Sequence, residues 1–114
     1  MAMIRSIARM RLRGSNVDGM VRDLRSISER TAVKEGCLSS SVYLDARAEY
    51  VVVLEEAWEN EETMQRHLDS EEYGQVLILM EMASEQPDIR FETVSHLAGL
   101  ETVQKARKRT RDGE

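Results

Sequence analysis

From Ile4 to Arg13 apolar and polar residues alternate: Ala8, Met10 and Leu12 fall on one face, and Arg5, Ile7, Arg9 and Arg11 on the other. Period two predicts a strand. Gly14-Ser15-Asn16 reads as a turn with Asn16 a plausible N-cap. Val17, Met20, Val21, Leu24 and Ile27 then recur at helical spacing, and the helix is expected to run to about Val33 and stop at Gly36. Alternation returns in the stretch CLSSSVYLD, with Leu38, Ser40, Val42 and Leu44 set against Cys37, Ser39, Ser41 and Tyr43. After a turn-like DARAE, a strand runs from Tyr50 through Trp58, and the short separation makes the two a hairpin.

Asn60 caps a second helix, with Glu61 and Glu62 in the first turn where the helix dipole favours acids. Met64, His67 and Leu68 share its inward face. Ser70 is a further N-cap, which predicts a kink and a fresh helix over Tyr73–Ser84. Pro87 ends the helical region, and Ile89, Phe91, Thr93, Ser95 and Leu97 alternate along a last strand. The order is β-α-β-β-α-β, an α+β, ferredoxin-like arrangement with a four-stranded antiparallel sheet and both helical segments on one face. The segment Val51–Leu54 is apolar towards both faces, so the open side of the sheet needs cover. A second copy is the economical source, which predicts a homodimer with sheet faces packed together.

Composition narrows the class. A chain of 114 residues is one domain, taken here as residues 1–98, followed over 99–114 by a basic tail or short helix. The tail from Lys105 has five basic residues (Lys105, Arg107, Lys108, Arg109 and Arg111) against Asp112 and Glu114, leaving 11 basic and 19 acidic residues before it. An acidic body with five aromatic residues argues against a nucleic-acid face, which needs clustered cations and stacking platforms. No apolar run is long enough for a membrane helix and no secretory signal is visible, so no membrane partner is expected. The lone Cys37 excludes an internal disulfide and a multi-cysteine metal site and fits a cytoplasmic location. With two histidines in all, no metal is expected, and phosphate-loop and dinucleotide fingerprints are absent.

One run carries a resemblance. Gly36-Cys37-Leu38-Ser39 at the second strand, a strand ending in Trp58, the acidic loop Asn60–Glu62 and His67-Leu68-Asp69-Ser70 occur in this order over about a third of the chain. This arrangement resembles the antibiotic biosynthesis monooxygenase family. The resemblance implies a dimeric α+β barrel with a pocket in each subunit between sheet and helices. It also implies oxygenation of electron-rich aromatics such as phenols, quinols and anthrones without metal or flavin, in which the substrate once deprotonated gives an electron to oxygen. Two positions depart from the pattern. Family oxygenases often place an asparagine where Leu54 stands. The haem-degrading branch uses an asparagine near Ile7 and a histidine further along the second helix, where Ser70–Val76 offers none.

The candidates follow from faces and from that likeness. Trp58, inward on its strand with Val52, Leu54 and Glu56, is either a core tryptophan whose N–H needs a partner or the wall for a flat aromatic ligand. His67 is either a structural imidazole bonded to the Trp58 strand or a base for a phenolic proton. Glu56, inward beside Trp58, is a general base or one end of a salt bridge. These three are the catalytic candidates, and Trp58, Ser40, Leu54, Met64 and Tyr73 are the expected substrate-binding set. Cys37 reads as a small buried hydrophobe, and His96 as surface. The reading is a cofactor-independent monooxygenase. The alternative is a non-catalytic dimer that binds a small ligand or is merely structural, which Leu54 favours; haem degradation is third.

Overall fold

The computed structural model describes residues 2–111, so Asp112 and Glu114 of the expected tail lie outside the described residues. The strands are β1 (Met3–Arg11), β2 (Cys37–Leu44), β3 (Val51–Trp58) and β4 (Asp88–Val94), and the helices α1 (Val17–Ala32), α2 (Glu61–Leu68), α3 (Glu71–Glu81) and α4 (Leu100–Arg111). The sheet is antiparallel with order β2-β3-β1-β4, the ferredoxin-like arrangement expected from the alternation of strand and helix patterns. β1 buries Ile4, Ser6, Ala8 and Met10 and leaves the intervening residues towards the open face. Among the described residues no helix is long and apolar enough to cross a membrane.

Local chemistry explains most boundaries. Asn60 Oδ1 accepts the Thr63 backbone N–H at 2.9 Å and starts α2. Ser70 Oγ accepts the Tyr73 N–H at 3.3 Å and starts α3, two residues before the predicted start, and α3 ends at Glu81 instead of Ser84. Asn16 occupies the N-cap of α1 without a side-chain cap bond. Its side chain instead folds over Gly19, where a Cβ would collide with it. Gly36 does adopt positive φ, +83°, but α1 has already ended at Ala32. The glycine completes a turn closed by Cys37 N–H donating to the Lys34 carbonyl at 3.1 Å, and Thr63 leaves no room for a Cβ there.

Three register details differ from the alternation reading. Leu44 pairs with Val52, because Tyr50 lies outside β3 at φ 64° and accepts the Leu12 N–H at 2.8 Å. Relative to a hairpin that pairs Leu44 with Tyr50, the two-residue offset leaves the faces unchanged. A bulge between Cys37 and Ser39 turns Cys37 inward against Ile4, Trp58 and Met64 and leaves Leu38 exposed. β4 stops at Val94, short of Leu97.

The main core lies between the sheet and α1 and α3, with Met10, Leu24, Val52, Leu54 and Val76 all at 2% exposure or less. On the open face Arg5 lies 3.3 Å from Glu55 and 3.4 Å from Glu92, and half-buried Ile7 and Val53 lie among such charges. The side chains of Leu100–Arg109 on α4 are exposed.

Candidate functional site

The inward face of β3 changes character along its length. Val52 and Leu54 lie beside Met10 and Ala8 of β1 and belong to the apolar core. Two residues on, Glu56 lies between Ser6 of β1 and Ser40 of β2, and Trp58 between Ile4 and Cys37. The helical stripe of α2 drops His67 over this end, and the first turn of α3 adds Tyr73. Trp58, Glu56 and His67 are sealed, at 1%, 1% and 2% exposure.

His67 is the centre of the arrangement. Its ring stacks on Trp58 with centroids 4.7 Å apart and planes inclined by 29°, while Tyr73 meets it edge-on at 5.6 Å. Nε2 lies 3.4 Å from Glu56 Oε1, and Nδ1 lies 3.2 Å from the Lys34 ammonium. An ammonium can only donate, so Nδ1 offers its lone pair to Lys34 and Nε2 carries the proton, turned towards Glu56 Oε1 but without a hydrogen bond to it. Ser70, which caps α3, donates to the His67 carbonyl at 2.6 Å and stands 3.5 Å from Nδ1. Behind the imidazole, Ser40 donates to Glu56 Oε2 at 3.3 Å and shares a hydrogen bond of 2.7 Å with Ser28 of α1. Lys34 in turn pairs with Glu72 at 3.1 Å. A polar chain therefore runs from the half-exposed Glu72 and Lys34 through His67 to the sealed Glu56 and the two serines.

Burial and the Glu56 charge both push the Tyr73 hydroxyl up from its ordinary range, burial being the larger cause. The Cys37 thiol is raised by the same two causes in the same order, against smaller lowering by the Ser39 backbone and Lys34. The Glu72 carboxyl is held below its ordinary range by backbone hydrogen bonding at the α3 N-terminus, then by Lys34. Among the described residues Trp58 Nε1 has no hydrogen-bond partner. An unmet buried donor costs about 1–3 kcal/mol.

A cleft of about 280 Å³ opens beside these rings, lined by Lys34, Glu35, Trp58, Thr63, Arg66, His67 and Ser70. Of the expected site residues, the structure brings Trp58 and His67 to this cleft. Glu56 and Ser40 stand behind them, Tyr73 braces the histidine, and Met64 packs against Trp58 from α2. Leu54 is 2% exposed within the core, because the space between the sheet and the helices is filled by side chains at this level. The cleft thus lies at the Trp58 end of that layer, where the turn after α1 meets α2, and not over Leu54. Lys34, Ser28 and Ser70 complete the chain of contacts although they were not among the expected site residues. A second cleft of about 260 Å³ lies between α1 and α3, over Asp23, Ser26, Arg30 and Gln75. Its polar lining is surface groups, with Arg30 held by Ser26 and Gln75, and among the described residues no buried acid or base lines it. Among the described residues no three His, Cys, Asp or Glu side chains converge as a metal ion would require.

A small ferredoxin-like α+β sheet of this kind is a recurrent fold. A conserved protein of Methanosarcina mazei Go1 superposes with a TM-score of 0.73 over 81% of this chain and 92% of its own, at 22% identity. A Mycobacterium tuberculosis protein gives 0.75 over 85% and 99%, at 19% identity. A Deinococcus radiodurans protein named for the antibiotic biosynthesis monooxygenases gives 0.75 over 84% and 96%, at 17% identity. At these identities the likeness shows the fold alone. No curated protein sequence matches the chain. The family model described as antibiotic biosynthesis monooxygenase matches residues 3–77, which span β1 to α3 and every residue around the cleft. The chain belongs to the antibiotic biosynthesis monooxygenase family.

Proposed function

We propose that the protein is a cofactor-independent monooxygenase acting on a small electron-rich aromatic such as a phenol, quinol or anthrone. The observation that carries this reading is the pairing of His67 with Glu56: Nε2–H faces a sealed carboxylate, and Nδ1 belongs to a ring that lines the cleft. A buried carboxylate behind an imidazole fixes its tautomer and stabilises the imidazolium formed when the other nitrogen takes a proton. His67 is thus the base and Glu56 its positioning partner. Trp58, stacked on His67 and 1% exposed, backs the imidazole at the inner wall of the cleft. Deprotonation makes the substrate electron-rich enough to reduce oxygen. In an anthrone one oxygen atom then replaces the two hydrogens of the methylene carbon to give a carbonyl, in a phenol or quinol the two hydrogens lost are one ring C–H and one O–H, and in each case the other oxygen atom leaves with them as water.

The test is oxygen uptake by purified, metal-stripped protein over a panel of anthrones, naphthols and hydroquinones. Turnover above the spontaneous rate that falls at least tenfold in His67→Gln is expected. No turnover across the panel would overturn the oxygenase reading. A second reading, a ligand-binding member without chemistry, is favoured by Leu54, which fills with packed hydrocarbon the position where family oxygenases often carry an asparagine. Haem does not fit the histidines present: both His67 nitrogens face charged side chains, and His96 is exposed beyond β4.

The working unit in this proposal is a homodimer of domains 1–98 packed through their open sheet faces, with residues 99–114 as an appended basic segment. Half-buried Ile7 and Val53 beside the exposed Tyr43 support that face as an interface. Light scattering is expected to give twice the chain mass at micromolar concentration. A monomer there would sink the dimer.

A further inference from the structure

Lys34 is fixed at its backbone by the tight turn from Lys34 to Cys37, and its side chain reaches back over the cleft. Glu72 holds the ammonium at 3.1 Å, and its next neighbour is His67 Nδ1 at 3.2 Å. These positions place the Lys34 side chain directly beside the lone pair of the base. The ammonium occupies the Nδ1 lone pair and the ring is 2% exposed, so a hydroxyl group reaches Nδ1 only when Lys34 swings aside; it then has two partners, the imidazole nitrogen, which can take its proton, and the displaced ammonium, which can donate to its oxygen. When the proton moves from oxygen to Nδ1, the negative charge left on the oxygen lies against Lys34, and the new imidazolium faces the Glu56 carboxylate. Each charge created has an opposite charge already in place, so little reorganisation accompanies the transfer.

We propose that Lys34 is the oxyanion-binding residue of the cleft, and that the site selects the ionised form of a phenol or enol over its neutral form. The inference rests on the reading of the cleft as an acid–base site, but it concerns binding and needs no turnover. Other groups around the pair are Glu56 from β3, Cys37 from β2, Glu35 in the turn, Arg66 on α2, and Glu72 and Tyr73 on α3. Glu72 is held low, and Tyr73 and Cys37 are pushed up, so across the neutral range Glu72 stays charged and the other two stay neutral. Lysine suits this task because its compact charge rides on a flexible stem that can follow the oxygen as the proton leaves.

The experiment is a spectrophotometric pH titration of 4-nitrophenol, whose anion absorbs visible light, in the presence of excess protein. With wild type the bound probe is expected to ionise about one pH unit or more below the free probe, a tenfold preference for the anion. Lys34→Met is expected to abolish the shift, and Lys34→Arg to restore part of it. The Lys34 side chain is about a quarter exposed (26%), so both variants should fold, which circular dichroism and thermal unfolding check. A bound probe that ionises as it does in free solution overturns the proposal, as does a full shift in Lys34→Met or no binding at millimolar probe. A shift present without oxygen uptake leaves Lys34 standing and removes the oxygenase. Turnover without a shift does the reverse.

Discussion

The two ends of the covered sheet face are equally sealed and chemically opposite. Around Leu54, Met10, Leu24, Val52 and Val76 are 0–2% exposed and carry no group that needs a polar partner. Around Trp58, the residues Glu56 and His67 are sealed to the same degree, yet both are titratable; Glu56 accepts from Ser40, His67 is bonded to Lys34, and the two face each other at 3.4 Å. Burying an acid and a base is costly unless both are partnered, and a hydrocarbon filling of similar volume is often at least as stable. The apolar end therefore explains why the domain folds. The polar end is where stability is given up, and such places are where chemistry is sought first.

Substitutions that exchange these characters sharpen the contrast. The largest effect is expected from Leu54→Asn, which puts an amide into the hydrocarbon end. It should cost about 3–5 kcal/mol in urea unfolding, through lost packing and an unmet polar group, without raising turnover. A near-neutral result would mean that this end is not closely packed. Glu56→Gln should cost less stability, about 1 kcal/mol, since the amide oxygen can still accept from Ser40. Its oxygen uptake should nonetheless fall at least tenfold, because a neutral amide cannot stabilise the imidazolium; unchanged turnover would make Glu56 purely structural. The smallest effect lies in Tyr73. Its folded-state pKa is raised, so the folded chain keeps a proton that the unfolded chain releases. That contribution is whole below the ordinary tyrosine range and is lost as pH rises through the folded value. Urea unfolding from about pH 8 to 11 should therefore show a shallower alkaline decline in Tyr73→Phe than in wild type, with the Cys37 share persisting in both.

Much of the fold was legible because β1 alternates over most of its length, α1 keeps the helical period, and β3 opens with a β-branched run. The same periods place Glu56 and Trp58 inward and His67 on the inner stripe of α2, which is why those three could be named from the chain. What the pattern could not give is register and reach. The bulge at Cys37 adds one residue to β2 and turns Leu38 outward, and nothing in the alternation of that strand marks it. Leu54 was expected in a pocket because it shares a face with Trp58, but sharing a face does not say which residues the helices cover. Lys34 meets His67 across 33 positions of sequence from a turn, where side chains follow no period. Ser28 did leave a signal: it follows Ile27 on the buried stripe of α1, a polar residue among apolar ones, and it reaches Ser40 at 2.7 Å.

The account turns on the protonation of one ring. Nitrogen-15 NMR of the protein labelled at histidine separates His67 from the exposed His96 and reads each ring nitrogen near neutral pH. The account predicts a neutral His67 with its proton on Nε2 and a bare Nδ1, and a change in its Nδ1 signal in Lys34→Met. A His67 protonated on Nδ1, with a bare Nε2 turned to Glu56, would contradict the base, the positioning carboxylate and the role of Lys34 together.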